Sequence, residues 1–490
     1  MNNSIPDKAK SEFVEKKYDK CKKIIFRSLK KRKYDKALAG ISIASSLLYL
    51  WNQRYTDEFL EKSIAEVADS TMFDSLRELD CDNDAILFYD SFGLDVRGLA
   101  LIYIKALARM NKKVFYVVPA KSEGKQPEID KIINGSNIKK IYFESHDHYK
   151  KLRELQEILC QVKPSKAFLY TVPFDSAGVA AFMQLKSATR YLINLTDHAF
   201  WIGIHAFDYL LEFRNYGAFV SNNERGVEKS KILELPFYPI IDKETEFQGF
   251  PFATEGKKIL FSGGALYKSI DKDKTYYLMV RRILEQNADC LFVYAGSGDD
   301  TYLKELMDLF PDRVFHIHER KDLYQVMKHI TLYLNTYPLA GGLMTQYAAA
   351  AGKIPVLLWR GPEHSGILFD QESRKIEYKN VNELVDDVNR LLSDSELLHS
   401  REALLKGSVI EEEEFGNELT NIIYNSSSKY KIDYHPVDTL LIKKDYADRF
   451  KREDYWSYVA HIDNISWPGE LIDAYINRAV MKMRRLLFNR

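Results

Sequence analysis

Apolar residues recur at three- and four-residue spacings near the start of the chain, where Tyr34, Ala37, Leu38, Ile41, Ala44, Leu47 and Leu48 share one stripe. That period belongs to amphipathic helices, so the pattern predicts helix from residue 8 to about 80, with a turn near Asn52. A helical pair cannot bury its own apolar face, and no repeat of about 34 residues extends it into an array. Residues 1–80 are therefore expected to form a helical cap packed on the next domain. From Asp84 the pattern changes to short apolar runs separated by amphipathic stretches. Ala85–Tyr89, Lys113–Val118, Lys139–Phe143, Ala167–Tyr170, Tyr191–Leu195 and Ala218–Val220 read as strands in a βαβ rhythm, which implies a parallel sheet with helices on both faces. Periodicity is lost over Pro236–Gly256, the best linker in the chain. The rhythm then restarts with Lys258–Phe261, Leu291–Tyr294, Val314–His316, Leu332–Leu334 and Val356–Trp359. The expected fold is α/β, with two doubly wound Rossmann-like domains at 81–240 and 250–425. A C-terminal helical tail, 426–490, is expected to pack back on the body and ends in the amphipathic stretch Leu471–Leu487.

Length and charge narrow the function. A chain of 490 residues is long enough for about two or three domains and hence for a cleft. Its 46% hydrophobic and 29% charged content is that of a globular protein, and 70 basic against 70 acidic side chains leave no net field to attract nucleic acid. Cys21, Cys81, Cys160 and Cys290 stand singly, so neither a disulfide framework nor a zinc site is expected, and a reducing cytoplasm fits best. The polar N-terminus lacks the apolar core of a secretion signal, so none is expected, and no apolar run reaches the ~20 residues of a membrane span. Peripheral contact with the inner face of a membrane is left open for the basic tip around Arg484 and Arg485, with packing on the protein body preferred.

In doubly wound folds ligands sit at the carboxyl ends of strands, so chemistry is sought in the loops after the apolar runs. The richest of these is the stretch Tyr333–Val356, which reads as strand, glycine loop, short helix and buried strand. Gly341 and Gly342 let main chain approach a ligand, the helix behind them offers free N–H groups to an anion, and Thr345 can add a hydroxyl. Asn335 is either a partner for a substrate hydroxyl or a cap for its own loop. The restart strand runs into Gly263, Gly264 and Lys268, a pairing of bare amides with an ammonium that suits a diphosphate. Ala295-Gly-Ser-Gly298 is a third glycine loop at the same end of the sheet. His316-Ile-His-Glu-Arg-Lys321 lacks a third metal ligand nearby, so His318, Glu319 and Arg320 read as a polar strand end or a surface for a base or ribose.

In the first half, Asp90–Gly98 is not a GxGxxG fingerprint, which disfavours a nicotinamide dehydrogenase. Gly93 there leaves room for a substrate, and Asp90, Asp95 or Arg97 can bind hydroxyls or charge. Asp197 and His198 come directly after a buried strand. An imidazole oriented by a carboxylate has the right range to take a proton from an acceptor hydroxyl, while a capping or core histidine is an equal alternative. His205 reads as structural.

Together these loops resemble those of the two-domain glycosyltransferases of the GT-B fold. The C-terminal half resembles the catalytic region of O-linked N-acetylglucosamine transferases, through Ala265-Leu-Tyr-Lys-Ser-Ile270 and Leu334-Asn-Thr-Tyr-Pro-Leu-Ala-Gly-Gly342. The resemblance covers roughly residues 255 to 360. It implies that Lys268 contacts the donor diphosphate, that Gly341, Gly342 and Thr345 cradle it, and that His318 to Lys321 lie near base and ribose. Where those relatives carry Thr-Thr this chain has Leu343-Met344, and where they carry an acid contacting the ribose it has Gln346-Tyr347, which leaves the nucleotide open. The relatives' long helical repeat array is missing as well.

The expected function is therefore metal-independent transfer of a sugar from a nucleotide-diphosphate donor, UDP-linked by the resemblance, to an acceptor hydroxyl, with no cofactor beyond that co-substrate. The acceptor is left among glycan, lipid-linked and protein hydroxyls, and the composition resembles that of bacterial surface-polysaccharide enzymes. His198 with Asp197 is nominated as base and Lys268 as the leaving-group cation. Two rivals remain: a sugar-nucleotide epimerase, which needs Asp95, Glu319 and Glu363 to converge, and a non-catalytic partner that has kept the fold. The stereochemical outcome and the oligomer are not legible.

Overall fold

The structure is a computed structural model that describes residues 8–462, except 97, 145–146, 243 and 362–365, with side chains described as far as 459. The stretch Leu471–Leu487 with its basic tip, Arg97 and Glu363 lie outside the described residues. The chain divides into two compact units, Met1–Pro236 with Glu413–Arg490, and Phe237–Glu412.

The first unit holds seven strands: β1 Asp82–Asp90, β2 Lys113–Pro119, β3 Ile138–Phe143, β4 Pro164–Tyr170, β5 Thr189–Ile193, β6 Tyr209–Glu212 and β7 Ile232–Glu234. Their order is β3-β2-β1-β4-β5-β6-β7, and every pairing is parallel. Strand β1 sits in the middle and is buried without interruption from Ala85 to Asp90, as a strand covered on both faces must be. The run Ala218–Val220, expected as a strand, lies instead in the helix Asn215–Asn223. Tyr216 and Val220, one helical turn apart, are both buried there, and β6 lies just upstream.

The cap is helical as expected, with helices at Lys8–Lys30, Tyr34–Trp51 and Glu58–Thr71. Tyr34–Trp51 is buried on nearly all sides from Ala37 to Leu48. It lies against the helix Ser176–Gln184, where the Ser42 and Ser176 hydroxyls are 2.8 Å apart and Ser176 is also within 2.9 Å of the Leu38 carbonyl. The late helices Leu440–Arg449 and Arg452–Ile462 return to this cap, and Phe450 meets Trp51 edge-on with ring centres 5.3 Å apart. Residues 413–425, which the pattern places in the second domain, also pack with the first unit, where Phe415 meets Tyr103 at 5.2 Å. No described helix is long and apolar enough to cross a membrane.

The second unit holds β8 Lys258–Gly263, β9 Cys290–Ala295, β10 Val314–Ile317, β11 Leu332–Leu334, β12 Pro355–Leu358 and β13 Glu377–Tyr378, again all parallel. Their order is β10-β9-β8-β11-β12-β13. Counted within the unit this is 3-2-1-4-5-6, the doubly wound order whose direction reverses between its first and fourth strands.

Candidate functional site

That reversal puts the loops after β8 and β11 side by side at the carboxyl edge of the second sheet. The first carries Gly263, Gly264 and the turn Leu266–Ser269 with Lys268, and the second runs from Asn335 to Gly341. They are tied directly, the Leu339 amide donating to the Lys268 carbonyl at 3.2 Å. The loop after β9 joins them through Gly264 N–H to Ala295 O at 2.9 Å and Leu266 N–H to Ser297 O at 3.0 Å. Gly296 has to be bare, because a Cβ there would stand 2.0 Å from the Gly264 carbonyl oxygen. Backbone cannot swing aside as a side-chain tip can. Gly296→Ala is expected to cost about 2–3 kcal/mol of stability and to pull the two loops apart, seen as a lowered urea midpoint. A midpoint equal to that of the parent protein would show the loops are not locked this way.

Asn335 organises the second loop. Its carbonyl oxygen accepts from the Gly341 and Thr336 amides at 2.8 and 3.0 Å, and its amide donates to Thr345 Oγ1 at 2.7 Å. Thr345 Oγ1 in turn donates to the Gly341 carbonyl at 3.0 Å. Both side chains are buried and face their own loop, so Asn335 caps it and the Thr345 hydroxyl is engaged within it.

The helix Gly342–Ala350 begins at Gly341 with no side-chain cap and no acidic residue in its first turn. The amides of Gly342, Leu343 and Met344 therefore lack intrahelical acceptors, and Leu343 is exposed. Gly263 approaches the same turn, since a Cβ on it would lie 2.8 Å from Met344 Cε. The Lys268 stem lies over Gly264, with Cδ 3.9 Å from where a Cβ would stand. Its ammonium has no carboxylate or hydrogen-bond partner among the described residues, and burial lowers its pKa from the usual lysine range. Lys268 thus stands on a turn bonded to the loop that leads into a helix whose first amides are uncapped.

The corresponding reversal in the first sheet, between β1 and β4, is filled from within. Asp175 caps the helix Ser176–Gln184 by accepting from Gly178 N–H at 3.0 Å, and its carboxylate also takes Tyr89 OH at 2.5 Å and Lys151 Nζ at 2.8 Å. Burial opposes that charge, but Lys151 and these hydrogen bonds hold the carboxyl below its usual range. The first unit thus supplies its own anion at this point, whereas the helix Gly342–Ala350 of the second has no side-chain cap and no acidic residue in its first turn.

Other candidate residues have local duties. Asp95 caps the helix Pro127–Asn134 through the Glu128 and Ile129 amides, at 3.1 and 3.0 Å. Gly93, at φ 62°, is pressed against Ser122. Arg320 forks onto Asp322 at 2.6 and 2.5 Å and onto the Gly249 carbonyl at 2.8 Å, stapling the segment around residues 247–252 to its unit. His318 and Glu319 are exposed in the loop after β10.

In the first unit, Asp197 is fully buried after β5 and is gripped by Arg214 through Nε at 2.6 Å and Nη2 at 3.0 Å. Burial opposes its ionisation, but Arg214 and His198 outweigh it and hold the carboxyl down at about 2. Its Oδ1 lies 3.3 Å from His198 Nδ1, and the imidazole is 38% exposed. Beneath it Glu212 accepts from Asn194 at 2.8 Å and Ser221 at 2.6 Å, while burial and then the Asp197 charge push its carboxyl up to about 8. Sequence reasoning missed Arg214, Glu212 and Arg225, because nothing local marks a partner that folding brings across many residues.

Solved structures share this architecture. An O-GlcNAc transferase variant of Thermobaculum terrenum matches at TM-score 0.52 and 14% identity, over 87% of this chain and 82% of its own. A structure named for a UDP-N-acetylglucosamine 2-epimerase of Listeria monocytogenes matches at 0.51 and 11%, over 71% and 99%. Anabaena HepE, solved with UDP and glucose, matches at 0.51 and 11%, over 70% and 99%. The chain has the GT-B fold. No protein-family model and no curated protein matches the sequence.

Within the GT-B fold the departures at Gln346 and Tyr347 acquire a role. Gln346 donates to the Phe237 and Ile367 carbonyls at 3.0 and 3.2 Å, and Tyr347 OH donates to Ile240 O at 2.5 Å. Both residues fasten the helix Gly342–Ala350 to the segment that opens the second unit.

Proposed function

We propose that this protein is a metal-independent glycosyltransferase that moves a sugar from a nucleoside diphosphate donor, UDP-linked, to an acceptor hydroxyl in the assembly of a surface polysaccharide or glycoconjugate. The observation that carries the reading is the partly buried Lys268, without a side-chain partner among the described residues, on a turn bonded to the loop that leads into the uncapped helix Gly342–Ala350. As the acceptor oxygen forms its bond to the anomeric carbon, the bond from that carbon to the diphosphate breaks and negative charge collects on the departing phosphate. Lys268 and the Gly342 to Met344 amides offset that charge without having to reorganise. His198 Nε2 takes the acceptor proton, with Asp197 holding Nδ1 and Arg214 holding Asp197.

GT-B folds also carry epimerases, so the fold alone does not choose between reactions. Asp95 favours transfer, since its carboxylate caps a helix and is not available to a sugar. The test is a thermal-shift screen against UDP, GDP, CMP and their sugar conjugates, followed by product analysis with the stabilising donor. Slow release of free sugar and nucleotide supports a transferase. Accumulation of an epimeric sugar nucleotide, or absence of stabilisation by every nucleotide, refutes the reading.

A further inference from the structure

We propose that Arg225 and Asn52 are positioning residues that hold the loop Thr196–Phe200 from two sides and so fix the imidazole of His198 over Asp197. The proposal rests on the reading of His198 as base. Arg225, just after the helix Asn215–Asn223, is 3% exposed, and its Nη2 reaches three successive or near-successive carbonyls: Ala199 at 2.7 Å, Asp197 at 3.0 Å and Thr196 at 3.5 Å. Its Nη1 donates to Ser221 Oγ at 3.1 Å, and the guanidinium lies 4.8 Å from the Trp201 ring centre and 5.1 Å from that of Tyr55. A planar fork packed by aromatic rings has one orientation, which a lysine cannot reproduce.

Asn52 closes the other side. It comes just after the helix Tyr34–Trp51 in a left-handed conformation, φ 42°, and is fully buried. Its amide donates to the His198 carbonyl at 3.0 Å and its oxygen accepts from the Phe200 amide at 2.9 Å. The main chain before, at and after His198 is thus tied to two elements, while the imidazole keeps the exposure that a proton acceptor needs. A loop built only for packing has no need of an orientation-specific clamp under one exposed ring. A general base displaced by about 1 Å loses on the order of a hundredfold, which is what such a clamp prevents.

The experiment compares Arg225→Lys, Asn52→Asp and His198→Gln in the full chain. It records UDP release from UDP-glucose and UDP-N-acetylglucosamine together with the NMR correlations of the His198 ring. Arg225→Lys and Asn52→Asp are expected to lower kcat about 10- to 100-fold with donor KM nearly unchanged, and to shift or broaden the His198 ring signals. Folded variants with parental kcat and unmoved ring signals overturn the proposal, and Asn52→Asp decides alone if Arg225→Lys does not fold. Should His198→Gln keep parental kcat while Arg225→Lys still moves the ring signals, the base assignment fails and the positioning stands.

Discussion

Lys268→Ala is expected to lower turnover of a nucleoside diphosphate sugar by about 10²- to 10³-fold, the usual cost of removing one pre-placed partner of the leaving group's charge. The turn that carries Lys268 is bonded through its carbonyl to the Leu339 amide, in the loop that leads into the helix Gly342–Ala350. Its charge matters most when the bond to phosphate is breaking, so the loss should fall more on kcat than on donor KM. Lys268→Arg keeps the charge on a broader, flatter group and should recover only part of the rate. Burial lowers the pKa of Lys268, and a bound phosphate raises it again by favouring the charged form. Nucleotide affinity should therefore weaken on the alkaline side at a lower pH than an exposed lysine would allow. Thermal-shift titrations of both proteins with UDP check this. Equal stabilisation of the parent and Lys268→Ala would remove the diphosphate role from Lys268.

The glycine loops were legible because they depend on local facts. Gly263, Gly264, Gly341 and Gly342 come at the ends of strands whose apolar runs are unambiguous, and the strand order then brings the loops together by topology alone. What the sequence hid is which polar groups are already engaged. Thr345 looks like a ligand hydroxyl until Asn335 is seen donating to it. Arg320 looks like a base-binding residue until Asp322, two positions on, takes both ends of its fork. Strand β6 escaped notice because four residues, Tyr209–Glu212, give too little alternation, and the apolar run at Ala218–Val220 imitated a strand while lying on a helix face. Arg214 and Arg225 were invisible for a different reason. Their partners lie 17 and 26 to 29 residues away, and only the parallel pairing of β5 with β6 makes them neighbours.

Arg214→Met is expected to destabilise the protein by about 3–5 kcal/mol at neutral pH, because it leaves the Asp197 charge buried without its main counter-ion. The pH dependence separates this cause from simple loss of packing. In the parent protein the Asp197 carboxyl sits at about 2, below its ordinary 3.8, so its contribution is present above about pH 4 and is lost as pH falls toward 2. Without Arg214, burial dominates and raises the folded pKa above the unfolded one. The sign then reverses, and stability declines as pH rises from about 4 through the new pKa. Urea unfolding at pH 5 and pH 7.5 should accordingly show a smaller deficit for Arg214→Met at the lower pH. Adding Asp197→Asn to the same chain removes the stranded charge and should recover most of the stability, while leaving His198 without its orienting carboxylate. A deficit independent of pH, or a double variant no more stable than Arg214→Met, would show that Arg214 acts through its packing on Phe213 and Tyr216. Recovery of stability without recovery of turnover is the expected result for the double variant, since the fold then tolerates the loss of the Arg214–Asp197 pair while the reaction, through His198, does not.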